Sequence, residues 1–175
     1  MFSRLKFSRL KLTKLVALFA AVISLFCTLQ TPALAAVPID MPCGDRAYGT
    51  ELQASDPDGA FWVNDCGERM EFVVDYADGL WNYGSAEPYN TLVGPEGNPD
   101  GPVYDNFANP SCKGAELSYL INGEPIPYGC YSIQRSFFVE PGDFVQLVNN
   151  DAKGSAYQDN QGEIIIFDIH NQSAW

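Results

Sequence analysis

The sequence predicts an all-β protein, a small antiparallel β-sandwich of jelly-roll type. Three observations lead there. Short runs rich in aromatic and β-branched residues alternate with Gly, Pro, Asn and Asp clusters at intervals of about 10 to 15 residues. Beyond residue 35 no stretch keeps a helical period of 3.6 for three turns. Four cysteines remain beyond that point, and an even number in an exported chain reads as a two-disulfide framework. Seven or so short strands with two disulfides fit a sandwich or jelly roll.

The strands are expected at Ala47–Gln53, Ala60–Asn64, Arg69–Asp75, Ala115–Ile121, Cys130–Val139, Phe144–Asn149 and Glu163–Ile169. Two turns are legible from their chemistry. Asp56–Gly59 (DPDG) precedes the second strand, and Glu140–Asp143 (EPGD) precedes the sixth; in both, Pro and Gly preset the backbone of a bend. The segment from Ser85 to Pro110 departs from the pattern. It holds five prolines and few apolar residues in succession. A connection that long within one domain is usually functional or disordered.

The first 35 residues read as a signal peptide, and residues 36–175 as one domain. Arg4, Lys6, Arg9, Lys11 and Lys14 form a positive leader, Leu15–Phe26 runs apolar, and Ala33-Leu34-Ala35 supplies small residues before a cleavage point. The apolar run is about 12 residues, short of the roughly 20 needed to span a bilayer. Cys27 follows the bulky Phe26, so no lipid anchor is expected. The destination is secreted or periplasmic, which a general export signal does not distinguish.

All 22 acidic residues lie after Ala35, with only five of the ten basic ones (Arg46, Arg69, Lys113, Arg135, Lys153), so residues 36–175 carry a formal −17. Such a surface repels phosphate backbones and anionic lipid, which argues against nucleic-acid partners. The acidity serves solubility, and some of the carboxylates are candidates to hold a divalent cation. For Cys43, Cys66, Cys112 and Cys130 three pairings are open. Loop economy favours Cys43–Cys66 and Cys112–Cys130, each closing about 20 residues for roughly 3 kcal/mol. A zinc site from these cysteines is disfavoured, because no CxxC occurs and His170 is the only histidine.

Catalytic signatures are missing. His170 stands near the C-terminus with no GxSxG in the chain, so a Ser-His-Asp site is not expected and a satisfied surface histidine is. No GxGxxG, Walker loop, HExxH or complete EF-hand loop occurs. Paired carboxylates for glycoside hydrolysis arise by chance in so acidic a chain. The chain is expected not to be an enzyme.

The most informative stretch is Asn149–Gly162 (NNDAKGSAYQDNQG), followed by the strand Glu163–Ile169. Asp151, Asp159 and Asn160 offer hard oxygens from a turn whose carbonyls can join them, and Ca²⁺ takes six to eight such oxygens. Equally, a polar hairpin can use its Asx side chains to cap its own backbone. This stretch resembles the closing hairpin of the bacterial calcium-dependent galactose-binding lectins of the PA-I type. Further blocks match in the family's order. Gly79–Gly84 (GLWNYG) is similar to its Gly-x-x-x-Tyr-Gly segment, and Gly94–Gly97 (GPEG) and Asn98–Asp100 (NPD) to its Gly-Pro-x-Gly and x-Pro-Asp loop. Cys112–Leu117 (CKGAEL) is similar to its Cys-Gly-Ala-Leu strand start. The blocks span about Ala47 to Ile169.

The resemblance implies a galactose-binding-like jelly roll with calcium at one end, where the long loop and the closing hairpin meet, and with sugar hydroxyls completing the coordination. By matching position the metal ligands would be the Tyr83 carbonyl, the side chains of Asp151, Asp159 and Asn160, and a carbonyl at Ser155. The loop is one residue longer than in the family, so Ala156 shares that last role. Tyr83, Asn98, Asp100, Asp151 and Asn160 would face the carbohydrate. The family's pocket histidine falls at Asn98 and its glutamine at Gly101, which puts galactose specificity, more than calcium, in question. The implied partner is a galactose-like or related glycan, and such lectins gain avidity by assembling, so a homo-oligomer is implied too. A rival of the same fold is a structural or surface protein in which calcium only stiffens the loops; a carbohydrate-active enzyme is a weaker one.

Overall fold

The computed structural model describes residues 36–174; the expected signal peptide lies outside them. Ten strands appear in chain order: β1 (Val37–Pro38), β2 (Arg46–Ala47), β3 (Thr50–Gln53), β4 (Ala60–Val63), β5 (Met70–Trp81), β6 (Leu117–Ile121), β7 (Glu124–Cys130), β8 (Ser136–Val139), β9 (Phe144–Asn149) and β10 (Gly162–Ser173). A 3₁₀ turn, Ser155–Asp159, connects the last two. One sheet has the order β1-β4-β9-β6-β7; the other runs β2-β10-β5-β8, with β3 also on β10. The protein is therefore an all-β sandwich, as its sequence predicts.

The two inner faces bury the core. Alternate residues of β5 (Met70, Phe72, Val74) and of β10 (Ile164, Ile166) meet Trp62 of β4, Tyr119 of β6 and Leu147 of β9. Across the layers, Trp62 stands 5.6 Å from Phe72 and Tyr119 stands 5.0 Å from Phe137, centroid to centroid. The Tyr131 hydroxyl accepts the Ala77 amide at 2.9 Å, which satisfies a polar tip inside this apolar layer.

Several boundaries differ from expectation, each for a physical reason. The expected strand Cys130–Val139 shortens to β8 (Ser136–Val139), preceded by a turn that follows Cys130. Backbone bonds from Ile133 and Gln134 to the Cys130 carbonyl close a turn there, and the chain crosses from one sheet to the other. The hairpin β6–β7 adds an unexpected strand, whose Pro125 and Pro127 survive because β7 is an edge strand. Arg69–Asp75 extends to Trp81 and Glu163–Ile169 to Ser173, because the two strands pair along their whole lengths. Ala47–Gln53 breaks at Gly49, whose φ is +70°. The pairing is antiparallel except for β1, two residues that lie parallel on the edge of β4. Both expected turns form: the Asp58 amide donates to Asp56 Oδ1 at 3.0 Å, and the Asp143 amide to the Glu140 carbonyl at 3.1 Å.

The cysteines pair as loop economy favours. Cys43–Cys66 ties the N-terminal segment to the β4–β5 connection, with Cα atoms 5.5 Å apart; Cys112–Cys130 joins the long loop to β7, at 5.4 Å. Both separations are ordinary for disulfides. Two disulfides fit an oxidising, extracytoplasmic environment. Among the described residues no helix is long and apolar enough to cross a membrane.

Candidate functional site

β5 ends at Trp81, β9 ends at Asn149 and β10 begins at Gly162, all at one end of the sandwich. The long connection from Asn82 to Glu116 folds over that end without regular strands. Amide side chains hold it there. Asn149 donates to the Asn82 carbonyl at 2.8 Å, and Asn82 Oδ1 accepts the Gln161 amide at 2.8 Å. Asn150 donates to the Cys112 and Lys113 carbonyls and accepts the Asn109 amide. These asparagines are buried, so each bond replaces water at a loop group that no strand can serve.

Asp151 follows directly. Its side chain is buried; Oδ1 accepts the Ala152 amide at 2.6 Å, and Oδ2 accepts Asn160 Nδ2 at 2.9 Å. Burial pushes its carboxyl above the ordinary value. The Asn160 and Ala152 bonds work against that rise, and the charge of Asp159 adds to it. Asn160 is buried and also donates to the Ala54 carbonyl at 3.2 Å, while its Oδ1 has no donor. Asn149 Oδ1 is likewise a buried acceptor without a donor.

Asp159 is exposed, at the end of the 3₁₀ turn. Its Oδ2 accepts both the hydroxyl and the amide of Ser85, at 2.7 and 2.9 Å, and those bonds hold its carboxyl below the usual range. Ser155 and Ala156 begin that turn, with Ser155 exposed. The expected metal residues thus split into two contacts: Asp151 with Asn160, and Asp159 with Ser85.

Beside Asp151 opens a cleft of about 290 Å³, lined by Tyr83, Tyr89, Tyr104, Asn106, Phe107, Asp151 and Ala152. Its aromatic walls meet edge to face, Tyr83 with Tyr89 and Phe107, and Tyr104 with Phe107; the Tyr89 and Tyr104 hydroxyls are 3.3 Å apart. Tyr83 packs against Gly114, where any Cβ would strike its ring. Burial raises its phenol, and Asn98 close by eases that rise without reaching hydrogen-bond geometry.

Asn98 and Gly101 belong to a tight turn in which Asn98 Oδ1 accepts the Asp100 amide at 3.0 Å and its carbonyl accepts the Gly101 amide. The turn packs on the phenol end of Tyr83. Asn98 is therefore adjacent to the cleft through Tyr83; Asp100 is exposed and does not line it. Tyr89, Tyr104 and Phe107 were not legible as site residues, although three aromatics within a polar, proline-rich stretch are the signal that marks them. His170 is placed elsewhere, in β10, bonded to Asp75.

Compared with protein-family profiles and with curated proteins, the chain matches none.

Proposed function

We propose that this end of the sandwich holds Ca²⁺ and, through it, a carbohydrate, and that the protein is a lectin-like binding protein without catalysis of its own. The observation that carries the reading is the buried Asp151–Asn160 pair. A carboxyl whose pKa burial raises, beside Asn160, whose amide oxygen no donor satisfies, offers hard oxygens suited to a hard cation. Asp159 is close enough to act on Asp151 electrostatically. The donor chemistry therefore fits calcium: Asp151, Asp159 and Asn160 would supply side-chain oxygens, and Tyr83 and Ser155 backbone carbonyls, as the resemblance to the PA-I type lectins implies. When bound there, the ion would offer open coordination positions to a pair of sugar hydroxyls. The adjoining cleft is partly aromatic and open, the shape and chemistry common to small-ligand sites.

The test pairs calcium titration calorimetry with a glycan array read with and without EDTA. One calcium per chain is expected, lost in Asp151→Asn, together with glycan binding that EDTA abolishes. Calcium binding with no glycan bound would leave the ion a loop stiffener only. No calcium binding would end the proposal.

A further inference from the structure

Far along β10 from the proposed calcium site, a second cluster of ligating groups forms on the outer face of the other sheet's strands. Asp168 and His170 are two residues apart on β10 and share that face. Asp75 reaches them through a bulge. In the β5–β10 ladder Asp168 pairs with Tyr76 and Ile169 with Val74, so Asp75 is the extra, unpaired residue. A bulge re-aims a side chain, and here both Asp75 and Tyr76 are exposed in succession. One ligand atom from each of Asp75, Asp168 and His170 lies within 4.8 Å of the others. Among the described residues it is the one such group free of disulfide cysteines.

Arg46 of β2 lies across from His170 in the β2–β10 register. Its Nη1 alone touches Asp75 Oδ2 at 3.2 Å and both Asp168 oxygens at 2.8 and 2.7 Å. A guanidinium recognising one carboxylate normally presents two nitrogens as a fork. One nitrogen serving two carboxylates instead occupies the place of a point cation. His170 Nδ1 meets the same Asp75 oxygen at 2.7 Å.

We infer that Asp75, Asp168 and His170 form a site for a divalent transition-metal ion, with Zn²⁺ the representative, for which the Arg46 guanidinium competes. An imidazole nitrogen with two carboxylates suits zinc at about 2.0–2.2 Å per ligand, with water in the fourth position. It discriminates against calcium, which takes oxygen ligands. Tetrahedral ligands at those lengths lie about 3.4 Å apart, so His170 Nδ1 and Asp75 Oδ2, now 2.7 Å apart, would part slightly while the cluster, whose ligand atoms lie within 4.8 Å of one another, adjusts to that spacing. The two carboxylates have room to adjust, at 39% exposed for Asp75 and 29% for Asp168, around the half-buried His170. Glu71 adds negative field at His170, and the acidic surface concentrates cations generally. The site does not depend on the calcium reading.

The test uses protein purified without a polyhistidine tag and kept in excess calcium. Zinc chloride is titrated by calorimetry, and the imidazole proton resonances are followed, which the chain's single histidine makes unambiguous. The parent is expected to bind one zinc with a shift of those resonances. His170→Ala should bind at least tenfold more weakly, and His170→Gln likewise. Arg46→Ala should bind several-fold more tightly, because it removes the competing cation; a simple ion-pair network predicts no such gain. Far-UV circular dichroism confirms that each variant is folded. No zinc binding by the parent, unchanged binding in the His170 variants, or weaker binding in Arg46→Ala would each overturn the inference.

Discussion

Replacing Glu116 tests how the long loop is held at the proposed site. Its side chain is 1% exposed, in the residue just before β6. One carboxylate oxygen accepts both the amide and the hydroxyl of Ser132, and the other accepts the Lys113 amide at 2.9 Å. A single buried carboxylate thus bridges the end of the long loop to the turn after β7, beside the Cys112–Cys130 disulfide. Glu116→Ala strands three donors. A hydrogen bond to a charged group contributes about 1.5–3 kcal/mol, and each buried donor left without a partner costs about 1–3 kcal/mol. Because the three bonds share one acceptor they are not additive, and about 3–5 kcal/mol is the expected loss. With an unfolding entropy of about 2.1 cal/mol/K per residue over this domain, that lowers Tm by about 10–17 °C. Glu116→Gln keeps one acceptor but turns an N–H toward a donor, so about half the loss is expected. Urea unfolding and thermal melts, both in EDTA, measure this without any contribution from metal. A loss under about 1 kcal/mol in Glu116→Ala, or equal losses in the two variants, would refute the bridging role.

Other outcomes follow from the same geometry. Tyr157→Phe removes the hydroxyl that donates to the Asn149 carbonyl at 2.6 Å and should cost about 1 kcal/mol in denaturant unfolding. Gly114→Ala forces a methyl group into the Tyr83 ring; about 1–3 kcal/mol of overpacking and weaker calcium binding by calorimetry are expected. Burial raises the Asp56 carboxyl above 3.8, so its proton favours the folded state. That contribution is present below pH 3.8 and is lost as pH rises through the raised folded value. Asp56→Asn, uncharged throughout and still able to accept the Asp58 amide, should therefore gain Tm on the parent as pH rises from 3.8 to neutrality, with the gap closing in acid. Cys43→Ser with Cys66→Ser should cost about 3 kcal/mol, the loop-closure entropy of a bridge spanning 23 residues.

The fold was legible wherever a strand's own composition decided it. β4, β6 and β9 fall within expected runs because their aromatic and aliphatic residues are buried, alternately in β4 and nearly continuously in the central strand β6 and the second half of β9. It was least legible where tertiary context overrides composition. β7 carries two prolines and reads as a loop, yet its edge position tolerates them. The overlooked cue is Asn122-Gly123, both at positive φ (54° and 79°), a pairing that favours a two-residue hairpin turn. At the site, the sequence picks out Asp151, Asp159 and Asn160 as oxygen donors. It does not reveal that Ser85 claims Asp159, since a contact across 74 positions leaves no local trace.

Asparagine explains most of what remained hidden. In a sequence it reads as a turn residue, but here Asn64, Asn82, Asn109, Asn149, Asn150 and Asn171 are buried and bond backbone groups far along the chain. Each amide offers donors and an acceptor, so it can stand in for a neighbouring strand where none exists. This construction bears on the choice between the two calcium readings. A loop that an ion merely stiffens is one whose polar groups lack other partners. The loop from Asn82 to Glu116 already has them, from Asn82, Asn109, Asn149, Asn150 and the Glu116 carboxylate. Two buried amide acceptors remain without donors, Asn149 Oδ1 and Asn160 Oδ1, and the second belongs to the residue that donates to Asp151. A loop already held in this way needs no ion to stiffen it, so on the proposed function an ion at Asp151 would serve a bound ligand rather than the loop.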